Sequence, residues 1–304
     1  MNIRTYQEKD FDEVLELLNE SKRFDYLTPA LLHEKLEADP DWMPGATFIT
    51  ADDKKIVGFM QGVIRNVRGK IYGYIKLMAV DEKYRRQGIA KNMYYQLEQC
   101  FKSNNVDIVR IYDVPRNYFM PGIDPRYTPA LCFASRMGFK RFGDTTNLLV
   151  ELNQDWSTHK KEEKLKKQDI EVLRATEKDK DQLMAFLDEM DWELWKDEVN
   201  TAYKSEPIAI HIAKLEGKVK AFSAHNGNNV GTGWFGPMGT HSDLRGKGMG
   251  SVLLFRCLDD MKKWGLMHSV IPWVGPIEFY SHYANAEVDR IFWRYEKILK
   301  EGRK

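Results

Sequence analysis

Cysteine is scarce in this sequence. Only Cys100, Cys132 and Cys257 occur, far apart and without a C-x-x-C pair. Neither a disulfide framework nor a structural zinc site is expected, and the count fits a reducing cytosol. Net charge is nearly absent at +1, so no bulk field draws the chain to nucleic acid or an anionic membrane. No apolar run approaches the ~20 residues that cross a bilayer. The opening MNIRTYQEKDFDEV lacks an apolar secretory core, which leaves the cytoplasm as the expected compartment. His225, His241, His268 and His282 lack metal-ligand spacing, so no metal is expected. Two phosphate signatures are missing as well. No G-x-x-x-x-G-K-[ST] loop is present, and the glycine-rich turn of the second half lacks the G-x-G-x-x-G order of a dinucleotide fold.

What the chain does have is repetition. Its 304 residues, 43% apolar and 30% charged, suffice for two soluble domains. IRTYQEKDFDEVLELL from Ile3 is echoed by LRATEKDKDQLMAFL from Leu173, each an extended piece, an acidic cluster and an amphipathic helix. ATFITADDKKIVGFMQGVI (46–64), turning at Asp52-Asp53-Lys54, and IAIHIAKLEGKVKAFSAH (208–225), turning at Glu216-Gly217, each read as a strand pair. A strand, a glycine turn, a helix, a further strand, a helix and a last strand follow in both halves. The charge run STHKKEEKLKKQD (157–169) reads as a linker, partly helical. The expected division is 1–154, a linker 155–170, and 171–304. Strands mixed with helices, with one strand–turn–helix crossover per half, place both in the α/β class.

The turns are YRRQGIAK (84–91) and LRGKGMGS (244–251). A helix N-terminus leaves N–H groups unpaired and carries partial positive charge, and glycine lets those groups approach a diphosphate. The donors in the second half are Gly246, Lys247, Gly248, Met249, Gly250 and Ser251, with charge from Arg245 and Lys247. The pattern [QR]-x-x-G-x-[GA], present as Arg85–Ala90 and Arg245–Gly250, resembles the GCN5-related N-acetyltransferase (GNAT) superfamily. The flanks LMAVDEKYRRQGIA and PMGTHSDLRGKGMG resemble it too.

That resemblance implies tandem domains, each a mixed, mostly antiparallel twisted sheet flanked by helices, with acetyl-CoA as donor. The pyrophosphate would lie on the turn and the pantetheine along a splayed strand carrying Met238 and Thr240. Pro237 and Gly239 suit a bulge there, and the Met238 N–H would polarise the thioester carbonyl. In the family a tyrosine protonates the departing thiolate. EFYSHYANA assigns that role to Tyr280, whereas CFASRMGF in the first half has Ala134 at the matching place. The second copy is therefore expected to be catalytic and the first degraded.

A base must also take a proton from the amine. Asp289 is the candidate, with Glu278 and Glu287 behind it. Strand alternation places Asp289, Ile291, Trp293 and Tyr295 on one face. Trp293 and Tyr295 then become acceptor-binding candidates, or parts of a packed face. Asp124, Arg126 and Tyr127 lie in a Pro- and Gly-punctuated loop (114–129) that either reaches an acceptor cleft or seals the domains. Trp192 and Trp195 read as core rather than as a substrate wall. Cys132 and Cys257, in apolar helices, read as structural.

The segment WVGPIEFYSHYANAEVDRIFWRYEK is similar to the ends of glucosamine/glucosaminide N-acetyltransferases and of domains fused to amino-sugar deacetylases. An amino sugar is the acceptor this implies. A peptide, polyamine or antibiotic amine, or a CoA sensor without turnover, are the alternatives.

Overall fold

In the computed structural model, which describes residues 1–53 and 55–299, the repeat is visible element by element. Lys54 of the expected Asp52-Asp53-Lys54 turn lies outside the described residues. The first half runs β1 (Asn2–Thr5), α1 (Phe11–Ser21), α2 (Pro29–Lys35), β2 (Trp42–Asp52), β3 (Lys55–Val67) and β4 (Lys70–Val80). It continues with α3 (Ile89–Ser103), β5 (Ile108–Ile111), α4 (Thr128–Arg136) and β6 (Lys140–Glu151). The second half runs α5 (His159–Lys166), β7 (Ile170–Arg174), α6 (Lys180–Glu189), α7 (Lys196–Ala202), β8 (Ile210–Leu215) and β9 (Lys218–His225). It closes with β10 (Phe235–Thr240), α8 (Met249–Lys263), β11 (His268–Ile271), α9 (Ile277–Ala284) and β12 (Glu287–Ile298). The ladders β1–β2, β2–β3, β3–β4, β5–β12, β6–β11, β7–β8, β8–β9 and β9–β10 are antiparallel, β4–β5 is parallel, and Trp234 makes a parallel bridge to Val270.

The acidic clusters opening each half act as caps. The Gln7 N–H donates to Asp10 and the Thr176 N–H to Asp179, at 2.9 and 2.8 Å. The helices that follow bury Val14, Leu17 and Leu18 in α1, and Leu183, Phe186 and Leu187 in α6. These are the i, i+3, i+4 positions of an amphipathic helix.

The compact units do not follow the expected boundaries. Residues 146–290 form one unit, and the residues on either side of them form the other. The cause is an exchange of last strands. The second half of β6 pairs with β11, Leu148 to Ile271 through Glu151 to His268. The end of β12 pairs with β5, Glu296 to Arg110 and Ile298 to Ile108. It is tied there by Arg110–Glu296, Arg294–Asp113 and Lys297–Glu98 ion pairs. The run expected as a linker belongs to the second unit. There α5 buries Leu165, and Glu162 binds Arg256 at 2.7 Å.

Both units carry a bulge in the strand before the turn. In β4 the register passes from Ile75–Gly62 to Leu77–Gln61, which leaves Lys76 as the extra residue. In β10 it passes from Phe235–His225 to Met238–Ser223, so Gly236 and Pro237 oppose one residue. The bulge thus falls at Gly236-Pro237 and does not involve Gly239. The reason for Gly239 lies elsewhere. A Cβ there would come within 2.2 Å of the Trp192 ring. Trp192 packs with Trp195, Phe186 and Phe222, as core. Cys257 is buried as expected, but Cys132 is exposed on α4, because it falls outside that helix's buried stripe.

Candidate active site

In the second unit β10 and β11 start side by side and then separate. The Val270 N–H donates to Gly233 O at 2.8 Å, and Trp234 bridges Val270. Past that bridge, β10 belongs to the β10-β9-β8-β7 sheet while β11 pairs with β6. One edge of β10, carrying the bulge, Met238 and Thr240, is left without a ladder partner among the described residues. β10 then runs through a short 3-10 turn, Ser242–Leu244, to Arg245. Gly246 and Gly248 follow at φ +77° and +83°, and Gly248 caps the 15-residue α8. Positive φ at two of three consecutive residues is the reason for the glycines here. A Cβ at either would meet nothing within 4 Å, so the turn presents bare backbone.

Arg245 and Lys247 are exposed, and neither has an ion pair or side-chain hydrogen bond among the described residues. Unpaired helix N–H groups, an open backbone and two free cations fit a diphosphate. Met238 Cε and the Phe279 ring approach the place a Gly250 Cβ would occupy, to 3.7 and 3.3 Å. The strand edge, the turn and α9 therefore converge. Phe279, which the sequence reading passed over, is the contact between turn and α9.

Tyr280 lies beside it, 8% exposed, with its ring edge-on to Phe235 and Phe279. Burial, with the neighbouring Cys257 second, pushes its pKa up to about 12. The phenol keeps its proton across the physiological range and has it to give.

The first unit repeats the turn but not its surroundings. Gly88 has φ +86°, and Arg86 takes φ +65° where the second unit has Gly246. Arg85 folds back, its Nε donating to Val80 O at 3.2 Å, with Glu82 3.8 Å away. Gln87 is turned onto Lys83 O at 3.4 Å. The bulge residue Lys76 is buried and bonded to Asp39, whose two oxygens also take Arg65 Nη2 at 2.8 and 2.7 Å. Burial pulls the Lys76 pKa down to about 7. This buried ion group was not legible in the sequence, since its members share no motif spacing. Ala134, opposite Tyr280 in the repeat, is fully buried.

The acceptor-side residues fall in different places. Asp289 is exposed on the second unit's part of β12, and Glu278 and Glu287 are exposed too. Trp293 and Tyr295 belong to the first unit. Trp293 exchanges backbone bonds with Ile123 at 2.9 and 2.8 Å and carries the Arg141 guanidinium 4.4 Å above its ring. Tyr295 packs on that unit's core. Asp124 is 2% exposed, and its two oxygens accept from Arg126 at 2.7–3.1 Å, which orders the 114–129 loop. Among the described residues no cluster of His, Cys, Asp or Glu is placed to hold a metal, and no helix is long and apolar enough to cross a membrane.

The fold and this site define an acyltransferase-type α/β protein built twice over. The acetyltransferase (GNAT) family model matches residues 11–118 and 170–281, more than half of the chain, and the chain belongs to that family. No curated protein matches it by sequence. Among solved structures it is similar to a GCN5-related glucosamine N-acetyltransferase region of a fungal multi-domain GH3 β-N-acetylglucosaminidase. The TM-score is 0.82 at 18% identity, over 97% of this chain and 38% of that one. It thus spans well under half the length of that relative. A GCN5-related N-acetyltransferase from Sphaerobacter thermophilus matches with TM-score 0.73 at 15% identity, over 99% and 96% of the two chains. A tandem GNAT protein from the clavulanic acid biosynthesis pathway matches with TM-score 0.68 at 12% identity, over 99% of each. These likenesses are of fold.

A matched pair of substitutions separates the two turns. Gly88 and Gly248 are both helix caps at nearly equal positive φ, and a Cβ at either has room. Asn tolerates that conformation, so Gly88→Asn and Gly248→Asn should carry similar folding penalties. We expect Gly248→Asn to weaken acetyl-CoA binding by about 2 kcal/mol, the scale of lost charge-assisted hydrogen bonds. Gly88→Asn should leave affinity and turnover within a few-fold. Calorimetry and steady-state rates on both variants would show the assignment reversed if Gly88→Asn is the damaging one.

Proposed function

We propose that the second unit transfers an acetyl group from acetyl-CoA to a primary amine, and that an amino sugar such as glucosamine is the acceptor. The observation that carries the reading is the open β10 edge leading into a glycine turn with two unpaired cations, beside a buried phenol. Arg245, Lys247 and the N–H groups of Gly246 to Ser251 would hold the diphosphate, with Met238 and Thr240 along the pantetheine. Acetyl-CoA supplies the activated acyl group.

In the reaction the amine nitrogen attacks the thioester carbonyl carbon directly, a C–N bond forms and the C–S bond breaks. The Met238 N–H polarises the carbonyl oxygen as it gains charge. Asp289 takes the amine proton, and Tyr280 gives its hydroxyl proton to the departing sulfur. No covalent enzyme intermediate is involved. The first unit is proposed as a copy without turnover. Support for the sugar comes from the 273–297 segment and from the likeness in fold to the fungal glucosamine N-acetyltransferase region. A cytoplasmic protein acting on small molecules, away from membrane and nucleic acid, completes the proposal.

The test is thiol release from acetyl-CoA against a panel of glucosamine, glucosaminides, polyamines, peptides and aminoglycosides. Glucosamine should give the highest kcat/KM. Preference for another amine would remove the sugar, and bound acetyl-CoA without thiol release from any amine would leave a sensor.

A further inference from the structure

Nothing in the proposed reaction uses α5, yet that helix lays one side chain across the start of α8. Lys161 Nζ donates to Ser251 Oγ at 2.9 Å, and that hydroxyl donates onward to Gly248 O at 2.8 Å. The ammonium also lies over two rings, 4.7 Å from the Phe255 centroid and 4.9 Å from that of Tyr283. Tyr283 in turn packs on Phe279, the residue that touches the turn at Gly250. Lys161 therefore stands against the first turn of α8, the helix that Gly248 caps.

Its surroundings supply no counter-charge. The neighbouring carboxylates on α5 are engaged elsewhere, Glu162 with Arg256 at 2.7 Å and Glu163 with His159 at 3.7 Å. Among the described residues Lys161 has no carboxylate partner. Partial burial alone acts on it, pulling its pKa down. For the protein by itself this is a poor place for a cation. A helix N-terminus is already positive, and two more unpaired cations flank the turn. A third, partly stripped of water, is stabilised when an anion arrives.

We infer that Lys161 is a further cofactor-binding residue, donating to a phosphate oxygen of the CoA ligand seated on the 245–250 turn. The inference rests on the acetyl-CoA reading above. The rings of Phe255 and Tyr283 hold the ammonium by cation–π attraction, and Ser251 fixes its height over the turn. The diphosphate and the 3′-phosphate share the chemistry Lys161 would recognise. The segment between the repeats thus contributes to the site of the second one, a role its charge pattern does not announce.

The experiment compares wild type with Lys161→Met, which keeps the apolar stem, and Lys161→Arg, which keeps the charge. Affinity for acetyl-CoA and for 3′-dephospho-acetyl-CoA is measured by calorimetry, and the ligand-free thermal midpoint is recorded. Lys161→Met should bind acetyl-CoA about tenfold or more weakly, the scale of one charge-assisted hydrogen bond. Its ligand-free midpoint should stay near wild type, because the lost ring and hydroxyl contacts and the relieved repulsion oppose each other. Lys161→Arg should recover most of the affinity. A loss confined to acetyl-CoA assigns the 3′-phosphate, and an equal loss with both ligands assigns the diphosphate. An affinity within twofold of wild type, or a weaker affinity tracking a lowered ligand-free midpoint, overturns the inference. Wild-type protein that fails to bind acetyl-CoA at all overturns the underlying reading instead.

Discussion

Tyr280→Phe should lower kcat by ~10²–10⁴, the range for a lost general acid, while folding and acetyl-CoA affinity stay near wild type. The substitution removes one oxygen. The ring, edge-on to Phe235 and Phe279 and 8% exposed, keeps its packing. Among the described residues the hydroxyl has no hydrogen-bond partner, so no internal bond is lost with it. The buried phenol, its pKa pushed up to about 12, remains protonated wherever the enzyme would work. Deprotonation of Tyr280 should therefore leave no mark on the rate profile below about pH 11. Steady-state kinetics, a calorimetric affinity and a thermal midpoint decide it. A kcat within a few-fold of wild type would remove Tyr280 from proton transfer.

Asp260→Ala should destabilise the second unit by about 3–5 kcal/mol, the scale for removing one partner of a buried ion group. Asp260 on α8 accepts from Arg174 at 2.6 Å and lies 2.7 Å from His211 Nε2 and 3.4 Å from His225 Nε2. Without it, the buried His211 and His225 on β8 and β9 lose their carboxylate, and the half-buried Arg174 on β7 keeps only its bond to Ile208 O at 2.7 Å. Burial by itself would raise the Asp260 pKa, but hydrogen bonds from His211, His225 and Arg174 outweigh it and hold the carboxyl well below the usual carboxylate range. Burial lowers the His211 pKa, more than the Asp260 hydrogen bond raises it.

The signs agree. An unfolded histidine takes a proton below ~6.5 that folded His211 refuses, and an unfolded carboxylate takes one below ~4 that folded Asp260 refuses. Stability should fall as pH drops from 7 to 5 through His211, and further below 4 through Asp260. Denaturant unfolding across that range should show the decline, and His211→Asn should flatten the limb between 7 and 5. A flat wild-type profile would contradict the arrangement. So would an Asp260→Ala protein as stable as its parent.

Some of this protein was legible from residue order alone. The two turns were, because a glycine cap at positive φ and the strand and helix around it are local, so short-range sterics determine them. The unequal residues at the matched places were legible as well, Tyr280 in α9 and Ala134 in α4. The core role of Trp192 and Trp195 followed from helical spacing. Strand partners were not legible. The apolar alternation of β6 and β12 states that each has a buried face and says nothing of which sheet receives it. The exchange that divides Asp289 from Trp293 and Tyr295 between units was therefore invisible.

Side-chain meetings across long sequence separations were hidden for the same reason. Lys76 with Asp39, Gly239 under Trp192, and Lys161 on Ser251 join residues whose separate patterns carry no mark of one another. The sequence by itself determined the repeat, the α/β class and the glycine turn that caps a helix in each half, all properties of backbone sterics and local periodicity. Only the tertiary structure decided where each unit ends, which turn has its cations free, and what stands beside it. Those depend on packing between distant segments, where burial and charge pairing act through space and leave no trace in spacing along the chain.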